Sequence, residues 1–315
     1  VLKNDELADY DYIYYFLSTS ETRYNLASSA SGSANQANIS PDNIKSLEIT
    51  LPPLPTQQKI AQILSSLDDK IELNSAINKN LEEIAQTLFK QWFVDFEFPA
   101  SLASPLSQGG DREGDGYKSS GGEMVESELG LIPKGWRVGK LEDLIDFIID
   151  NRGKTPPVVD MMEKCKYPLV EVNAVTGNSR VVNLSSIKKY VSEATYSSWF
   201  RKGHPQKGDV LISTVGTIGQ LALIWDEQIS IAQNLIAIRG KYDGIYTYQL
   251  IYSIIEEIKT LDISSVQPSI KVPHMMSVNC IIPNGNIVKE YINRLTTVVD
   301  KLYVNSIETQ TLTKL

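Results

Sequence analysis

Two stretches of the chain carry seam residues on a four-three alternation, which is the heptad pattern of a coiled-coil helix. We predict the first as a helix from Thr56, its N-cap, to Trp92. Its seam positions are Ile60, Leu64, Leu67, Ile71, Asn74, Asn78, Leu81, Ala85, Leu88 and Trp92. The second stretch lies near the C-terminal end of the sequence. Its seam positions are Tyr291, Leu295, Val298, Leu302, Asn305, Thr309 and Leu312.

The second seam repeats the first at an interval of 231 residues, within a longer repeat that relates Gln36–Ser75 to Gln267–Ser306. This interval is too long for a solenoid and indicates a duplicated module, a globular stretch followed by a helix. Both seams carry Asn at the same step. Because a buried Asn facing an aliphatic residue lacks a partner, matched Asn steps restrict the alignment. We therefore predict that the two helices pack on each other or on equivalent helices, rather than on unrelated cores.

The remaining pattern predicts an α+β fold. It indicates a helix, a loop and a strand before the first seam, a Ser- and Gly-rich linker after it, and three strands in the second half. In that order these are Asp11–Leu26, Ala27–Ala37, Ile44–Leu51, Ser101–Gly122, Asp209–Ser213, Leu221–Trp225 and Asn234–Ile238. The predicted divisions are an incomplete first domain (1–54), a central helix (55–97), a linker (98–130), a complete second domain (131–285) and a second helix (286–315).

Composition is that of an ordinary globular protein, with 315 residues and 42% hydrophobic content. No apolar run approaches the 18 or more residues of a membrane helix, and no signal pattern opens the sequence, so we predict a cytoplasmic protein. Cys165 and Cys280 have no metal-ligand spacing and indicate small core residues. The net charge is −8, but Arg180–Lys207 holds six Lys and Arg against one Glu. This uneven distribution indicates a local polyanion contact, with a solvated face as the alternative.

Catalytic motifs are missing from the sequence. His204 and His274 have no partners at metal-ligand spacing, and no phosphate-binding Gly-Lys-Ser/Thr motif or Gly-x-Ser-x-Gly elbow occurs. Asp68-Asp69 lies on the first heptad helix away from its seam, which is typical of a solvated face. Thr155–Val158 resembles an adenine-methyltransferase motif only in its prolines. We therefore predict a protein that is not an enzyme and holds no metal or cofactor.

Nucleic acid is the ligand whose requirements fit best, since phosphates need Lys and Arg while base edges need Arg, Lys, Asn, Gln, Ser and Thr on loops. Tyr190, Tyr196 and Trp199 lie in the same region and are more typical of core residues than of base-stacking platforms. The predicted DNA-binding residues are Arg152, Lys154, Asn173, Asn178, Arg180, Lys188, Lys189, Arg201, Lys202 and Lys207.

A resemblance to a known family rests on five motifs in order. They are Pro52–Ile60, Phe93–Phe96, Ser127–Trp136, Gly208–Gly219 and Gln233-Asn234. Together they resemble the specificity subunit of type I restriction-modification systems over nearly the whole chain. The resemblance implies two target-recognition domains, each reading half of a split site in double-stranded DNA, held apart by conserved helices in an antiparallel coiled coil.

The resemblance also implies partners that supply the chemistry. Two methyltransferase subunits, which bind S-adenosylmethionine, dock on the helices, and nuclease-translocase subunits join them. Compared with the full pattern, the chain begins inside the first recognition domain and stops inside the second helix. We therefore expect a truncated subunit that tends to self-associate. The rival hypotheses are a coiled-coil scaffold without DNA contact and a fused nuclease, which the missing catalytic site disfavours.

Overall fold

The computed structural model describes residues 6–28, 31–33, 36–103, 115–153, 155–159, 166–177, 179–225, 228–262 and 268–314. Its contacts divide into two compact units, with the boundary between Leu73 and Asn74. The longest helix of the described chain runs through this boundary. The predicted positions Lys154, Cys165 and Asn178 lie outside the described residues.

The first unit consists mainly of helices. Its elements are α1 (Tyr10–Ser18), α2 (Ser20–Ser28), β1 (Ser31–Ser33), β2 (Gln36–Asn38), α3 (Pro41–Lys45) and the first part of α4 (Leu54–Phe89). The predicted helix over 11–26 is therefore two helices. The predicted loop over 27–37 contains β1 and the first two residues of β2, and these two strands pair antiparallel as a hairpin.

The predicted strand Ile44–Leu51 is wrong. Its first two residues lie in α3, and no regular element covers the rest. Ser40 caps α3 by accepting the N–H of Asn43, and Pro41 takes the first turn. Because Ser followed by Pro is a strong helix-start signal, it outweighs the short alternation of apolar residues that suggested a strand.

The long helix α4 begins at Leu54, two residues before the predicted N-cap Thr56. The backbone N–H groups of Thr56 and Gln57 both donate to the carbonyl of Pro53, at 2.7 and 3.2 Å. Pro55 fits in this first turn because an N–H there would have no partner within the helix.

A buried glutamine fastens this helix start within the first unit. The Gln57 side-chain amide accepts the N–H of Asp9 at 2.9 Å and donates to the carbonyls of Leu7 and Pro52 at 2.9 and 2.8 Å. Ile60, predicted as a seam residue, is 37% exposed. The buried positions of this turn are Gln57 and Ala61 instead, because the polar clamp sets which face of the helix turns inward.

The second unit is built on small sheets and contains the remaining elements. They are β3 (Met124–Ser127), β4 (Gly130–Pro133), β5 (Arg137–Lys140), β6 (Ile145–Ile149), β7 (Lys166–Val170), β8 (Tyr190–Ser192), α5 (Glu193–Ser198), β9 (Val210–Ser213), β10 (Leu221–Leu223), β11 (Ser230–Ile231), β12 (Leu235–Gly240), α6 (Gly244–Ser253), α7 (Ile255–Thr260), α8 (Val272–Met276), β13 (Asn279–Ile282) and α9 (Gly285–Leu312). An antiparallel sheet of order β10-β9-β12-β6 lies at its centre, beside a β11-β7-β8 sheet. We call residues 124–282 the sheet domain.

Both faces of the central sheet are buried along β9 and β10 and over the first four residues of β12. Along β9, Val210 and Ile212 join the larger hydrophobic core, while Leu211 between them joins a second core with Val170 and Ile231. Strands buried on two faces read as continuous apolar runs rather than alternating ones. This explains why the runs at 209–213, 221–225 and 234–238 correctly predicted β9, β10 and β12.

Within the second unit, the end of α4 and the whole of α9 pack antiparallel, as predicted. Asn74 donates to Glu308 at 2.9 Å, Asn78 donates to Ser306 at 3.0 Å, and the Tyr291 hydroxyl donates to the carbonyl of Ala85 at 3.3 Å. Residues further along α4 thus meet earlier residues of α9.

The seam residues of this unit lie mostly inside. Asn74, Leu295, Leu302 and Asn305 are buried, whereas Leu81, Leu88, Val298 and Leu312 are half-buried. In the first unit Leu64, Leu67 and Ile71 are half-buried.

Aromatic side chains join the end of α4 to α9 and to the sheet domain. Phe93 lies on a π-helical turn, Lys90–Val94, and its ring packs at 5.1 to 5.9 Å from those of Tyr291, Tyr246 and Trp136. The described parts of the predicted linker 98–130 belong to the same core, since Phe98 is 1% exposed and stacks between Tyr117 and Trp136. These parts are therefore folded, because they supply aromatic residues that the Ser- and Gly-rich composition obscured.

Candidate nucleic-acid interface

Three loops of the sheet domain emerge at one edge of the central sheet. The strand register places Leu235, which begins β12, opposite Ser213, which ends β9. It also places Ala237 opposite Ile149, which ends β6. Because neighbouring strands run antiparallel, the loops after β6, after β9 and before β12 must lie side by side.

These loops surround a cleft of about 640 Å³. The loop after β6 supplies Arg152 and Thr155, the loop after β9 supplies Thr217, and the turn before β12 supplies Gln233 and Asn234. Glu171 and Lys189 complete the polar part of the wall. The cleft thus combines cations with amide and hydroxyl groups, which are the groups that contact phosphates and base edges.

Arg152 is held rigidly at the rim. Its Nε and Nη2 donate to the two carboxylate oxygens of Asp150 at 2.8 and 2.7 Å, and its Nη1 donates to the carbonyl of Ile270 at 3.3 Å. Burial alone raises the pKa of Asp150, but hydrogen bonds from the Arg152 guanidinium and backbone N–H, with its charge, outweigh burial and lower that pKa. Asp150 is therefore an anion that orients Arg152.

A second concavity of about 490 Å³ shares Arg152 and Gly153 with the first. Trp199, Arg201 and Lys202 line it, and all three are exposed. Its walls carry three cations against the single carboxylate of Asp150. The predicted residues Arg152, Lys189, Arg201 and Lys202 are thus brought to one edge of the domain.

Other predicted DNA-binding residues lie elsewhere or outside the cleft walls. Lys188 is exposed but lines neither concavity, and the Asn173 amide donates to the carbonyl of Ser186 at 3.0 Å. Lys207 lies 4.6 Å from the centre of the Trp225 ring. That ring in turn packs against Tyr303 of α9. Lys207 therefore faces the helix pair rather than the loop edge.

The prediction for Arg180 is wrong. Its side chain is 1% exposed and pairs with Glu82 of α4 at 2.8 Å. Burial alone lowers the pKa of Arg180, but the charge and hydrogen bonds of Glu82 together with the nearby Tyr248 and Tyr291 outweigh burial and raise it, so the guanidinium stays charged. A cation enclosed in this way cannot reach a phosphate.

The predicted DNA-binding residues do not include Thr217, Gln233 and Asn234, which line the cleft and appear in the sequence only as parts of family-like motifs. The available signal was their position in breakers between strongly predicted strands, where loop ends of a buried sheet converge. Asp209, in contrast, follows Gly208 in a family-like motif but has a structural role. Its buried carboxylate accepts two bonds from Arg239, both at 2.8 Å, and the N–H of Gln206.

The described ranges contain no group of three or more His, Cys, Asp and Glu residues able to hold a metal ion. Among the helices that the structure describes, none is both long and apolar enough to cross a membrane. The fold and the polar edge define a binding module carried on two long helices.

The comparison with protein families identifies the kind of module. The model for the type I restriction modification DNA specificity domain matches residues 1–83 and 133–314. The chain belongs to this family.

Curated relatives are specificity subunits. The chain is 36% identical over 168 residues to the type I restriction enzyme HindI specificity subunit of Haemophilus influenzae, covering 42% of this chain and 36% of that one. It is 31% identical over 185 residues to the MjaIX specificity subunit of Methanocaldococcus jannaschii, covering 57% of this chain and 38% of that one. The matches thus span well under half the length of these relatives.

Solved structures that match over most of the chain include two specificity subunits, both at low similarity. The HsdS subunit of Thermoanaerobacter tengcongensis has 16% sequence identity and a TM-score of 0.42, covering 98% of this chain and 69% of that one. The type I restriction-modification S subunit of M. genitalium has 16% identity and a TM-score of 0.45, covering 98% of this chain and 72% of that one.

Proposed function

We propose that this chain is a DNA sequence-recognition subunit of a type I restriction-modification enzyme, and that its sheet domain reads double-stranded DNA at the edge formed by the two concavities. The observation that carries the proposal is the convergence of Arg152, Arg201 and Lys202 on the same edge as Gln233 and Asn234. Because the chain belongs to a DNA specificity family, we propose duplex DNA as the polyanion that binds there.

The two kinds of residue divide the work. Arg201 and Lys202 are exposed cations that contact phosphates, which fixes register without reading sequence. Gln233 and Asn234 carry amides, which can pair bidentately with the N6 and N7 atoms of adenine in the major groove. The guanidinium of Arg152 is held in place by Asp150 and the Ile270 carbonyl, and its remaining N–H groups are suited to a guanine edge or a phosphate.

Binding to a pool of randomised duplexes tests this division. Arg201→Ala and Lys202→Ala are each expected to weaken binding to all sequences and to reduce the salt slope of log K by about 1. Gln233→Ala or Asn234→Ala is expected to change which sequences are enriched. Lys289→Ala, an exposed lysine on α9, is the control. Duplex binding that none of the four cleft variants changes contradicts the placement of the site at this edge. No duplex binding by the parent chain contradicts the DNA proposal and favours the coiled-coil scaffold.

We also propose that the helices dock methyltransferase subunits, which bring S-adenosylmethionine and the catalytic groups, and that nuclease-translocase subunits join this complex. Ile84 on α4 and Val304 on α9 are 52% and 55% exposed, which is compatible with a partner surface. Ile84→Asp with Val304→Asp is expected to abolish co-purification with a methyltransferase subunit. Leu131→Asp, at a 56% exposed position on β4, is expected to leave it intact.

The same proposal covers the bipartite target and the state of association. Two recognition domains reading two half-sites require either a second domain in one subunit or a second copy of this chain. Light scattering with and without duplex measures the copy number. A strict monomer that still selects a bipartite site contradicts the self-association part of the proposal.

A further inference from the structure

The segment Arg180–Ser185 follows the outer edge of the central sheet and contacts both long helices. The N–H of Leu223 in β10 donates to the carbonyl of Arg180 at 2.7 Å, and Val181 forms a parallel bridge with Leu223. The segment is thereby fixed to the sheet, and each of its polar contacts with a helix ties the sheet domain to that helix.

The contact with α4 is a buried ion pair. Arg180 Nε and Nη2 donate to the two oxygens of Glu82 at 3.0 and 2.8 Å, and the guanidinium lies 4.2 Å from the centre of the Tyr248 ring. Gln249 approaches the same carboxylate at 3.5 Å. A bidentate Arg–carboxylate pair fixes direction as well as distance, because both planar groups must be coplanar to form it.

The contact with α9 is a glutamine clamp. Gln310 Nε2 donates to the carbonyl of Val182 at 3.0 Å, and Gln310 Oε1 accepts the N–H of Leu184 at 2.9 Å. The Ser185 hydroxyl reaches the Gln310 carbonyl at 3.4 Å. One side chain thus pairs with two backbone groups of the segment.

The Gln310 clamp lies away from the aromatic cluster around Tyr291 and Phe93. The Arg180–Glu82 pair lies closer to it, since Glu82 is three residues before Ala85, whose carbonyl accepts the Tyr291 hydroxyl. Gln310 is 19 positions beyond Tyr291 on α9, which is roughly 28 Å along the helix axis at 1.5 Å per residue. Apolar packing is less directional than hydrogen bonding, so the aromatic cluster constrains the angle of the sheet domain on the helices less tightly than the polar contacts do. Hydrogen bonds this far from the cluster act with a long lever arm and resist pivoting.

We propose that Arg180, Glu82 and Gln310 are positioning residues that fix the angle of the sheet domain on the helix pair. In this role they determine the direction in which the cleft edge faces the DNA, a consequence that rests on the proposed function. Removing one partner of a buried pair leaves an uncompensated charge, which shifts the docked-to-undocked ratio roughly a hundredfold or more toward undocked.

Electron paramagnetic resonance distances between two spin labels report changes in this angle as changes in the width of the distance distribution. Labels are placed at Ala194→Cys in the sheet domain and Lys301→Cys on α9, both exposed positions, in a full-length Cys165→Ser chain. The parent is expected to give one narrow distance distribution. Glu82→Gln is expected to broaden it at least about twofold, because the buried Arg180 charge loses its partner. Gln310→Ala is expected to broaden it independently, because the Val182 carbonyl and the Leu184 N–H lose their hydrogen-bond partner.

Matched controls separate positioning from general damage. Glu83→Gln is the control for Glu82→Gln, because Glu83 is the next residue of α4 and its ion pair with Lys79 is exposed. Gln91→Ala is the control for Gln310→Ala, because it removes an exposed glutamine. Both are expected to keep the narrow distribution. Continued protection of the buried Cys280 thiol shows that the sheet domain of each variant is folded.

Unchanged distributions in both Glu82→Gln and Gln310→Ala overturn the proposal, as does equal broadening in the two controls. Binding of the parent to duplex is measured in parallel. Broadened distributions without any duplex binding would support the positioning role while removing the proposed function. Salt-dependent duplex binding with unchanged distributions would do the reverse.

Discussion

The polar seam between α4 and α9 offers the sharpest test of how the helices are aligned. Asn305 is 1% exposed and donates to Asn78 Oδ1 at 3.0 Å, while Asn78 donates to Ser306. Replacing Asn305 by Leu leaves the Asn78 oxygen without this donor, which costs about 1–3 kcal/mol. Replacing Asn78 by Leu leaves the Asn305 amide group unpaired at a similar cost.

The double replacement is expected to behave differently. Among the described residues, the Oδ1 of Asn305 is buried without a hydrogen-bond partner, so removing both amides removes a group that is already unfavourable. Burying two leucines adds about 1.5–3 kcal/mol each if both are fully enclosed. We expect Asn78→Leu with Asn305→Leu to be more stable than the parent, with a coupling energy of roughly 1–3 kcal/mol.

Urea unfolding followed by tryptophan fluorescence measures these free energies, because Trp92 is 1% exposed and lies beside Tyr291 at 5.8 Å. The control cycle uses Asn80→Leu on α4 and Asn293→Leu on α9, two exposed positions, and is expected to show no coupling. Additive effects of Asn78→Leu and Asn305→Leu, or a double variant less stable than each single one, would refute the reasoning.

Two substitutions and one labelling experiment are expected to separate structural roles that look alike in sequence. Gln57→Ala should lower the free energy of unfolding by about 1–3 kcal/mol because three backbone groups lose their partner. Gln58→Ala, at the exposed next position, should change it little. Equal effects of the two substitutions in urea unfolding would contradict the role of Gln57. Gly244→Ala places a Cβ against the Gly208 carbonyl and should destabilise the fold by about 1–3 kcal/mol or more. Gly285→Ala is the control, because Gly285 is also the first residue of a capped helix but its Cβ would lie 3.3 Å from the nearest atom, so thermal unfolding should shift far less. A larger shift for Gly285→Ala than for Gly244→Ala would contradict the steric argument. Burial raises the pKa of the Cys280 thiol to about 12, so at pH 8 only about one part in ten thousand is thiolate. In a Cys165→Ser chain, Ellman's reagent should therefore label Cys280 only on unfolding. Rapid labelling of the folded chain would contradict this prediction by showing that the thiol is accessible.

Sequence periodicity predicted the elements whose burial is decided locally. The strands β9, β10 and β12 are apolar on both faces, so their pattern needs no knowledge of the partner strands. The seams of α4 and α9 were visible for the same reason, with Asn74 and Asn305 as their shared polar step. At Ile60 this reasoning failed, because a clamp from Gln57 to residues earlier in the chain rotates the buried face.

Site residues were harder to predict because the sequence does not show whether a charged side chain is buried against a partner or exposed. Arg180 and Arg201 look equivalent in sequence, yet one is enclosed by Glu82, 98 positions earlier, and the other is exposed in a cleft. The sequence indicates Arg152 by its charge alone, and it gives no sign that the neighbouring Asp150 orients the guanidinium. Gln233 and Asn234 became candidates for base contacts only when the strand register brought three loop ends together.

The pairing of α4 with α9 also has a consequence for biosynthesis. Ala85 and Tyr291, joined by a hydrogen bond in the folded chain, are 206 residues apart. At about 5–20 residues per second, a ribosome needs roughly 10 to 40 s to deliver the second helix after the first. During that interval the nascent chain presents the apolar stripe of α4 uncovered, which makes it a substrate for chaperones and exposes it to premature association with other chains.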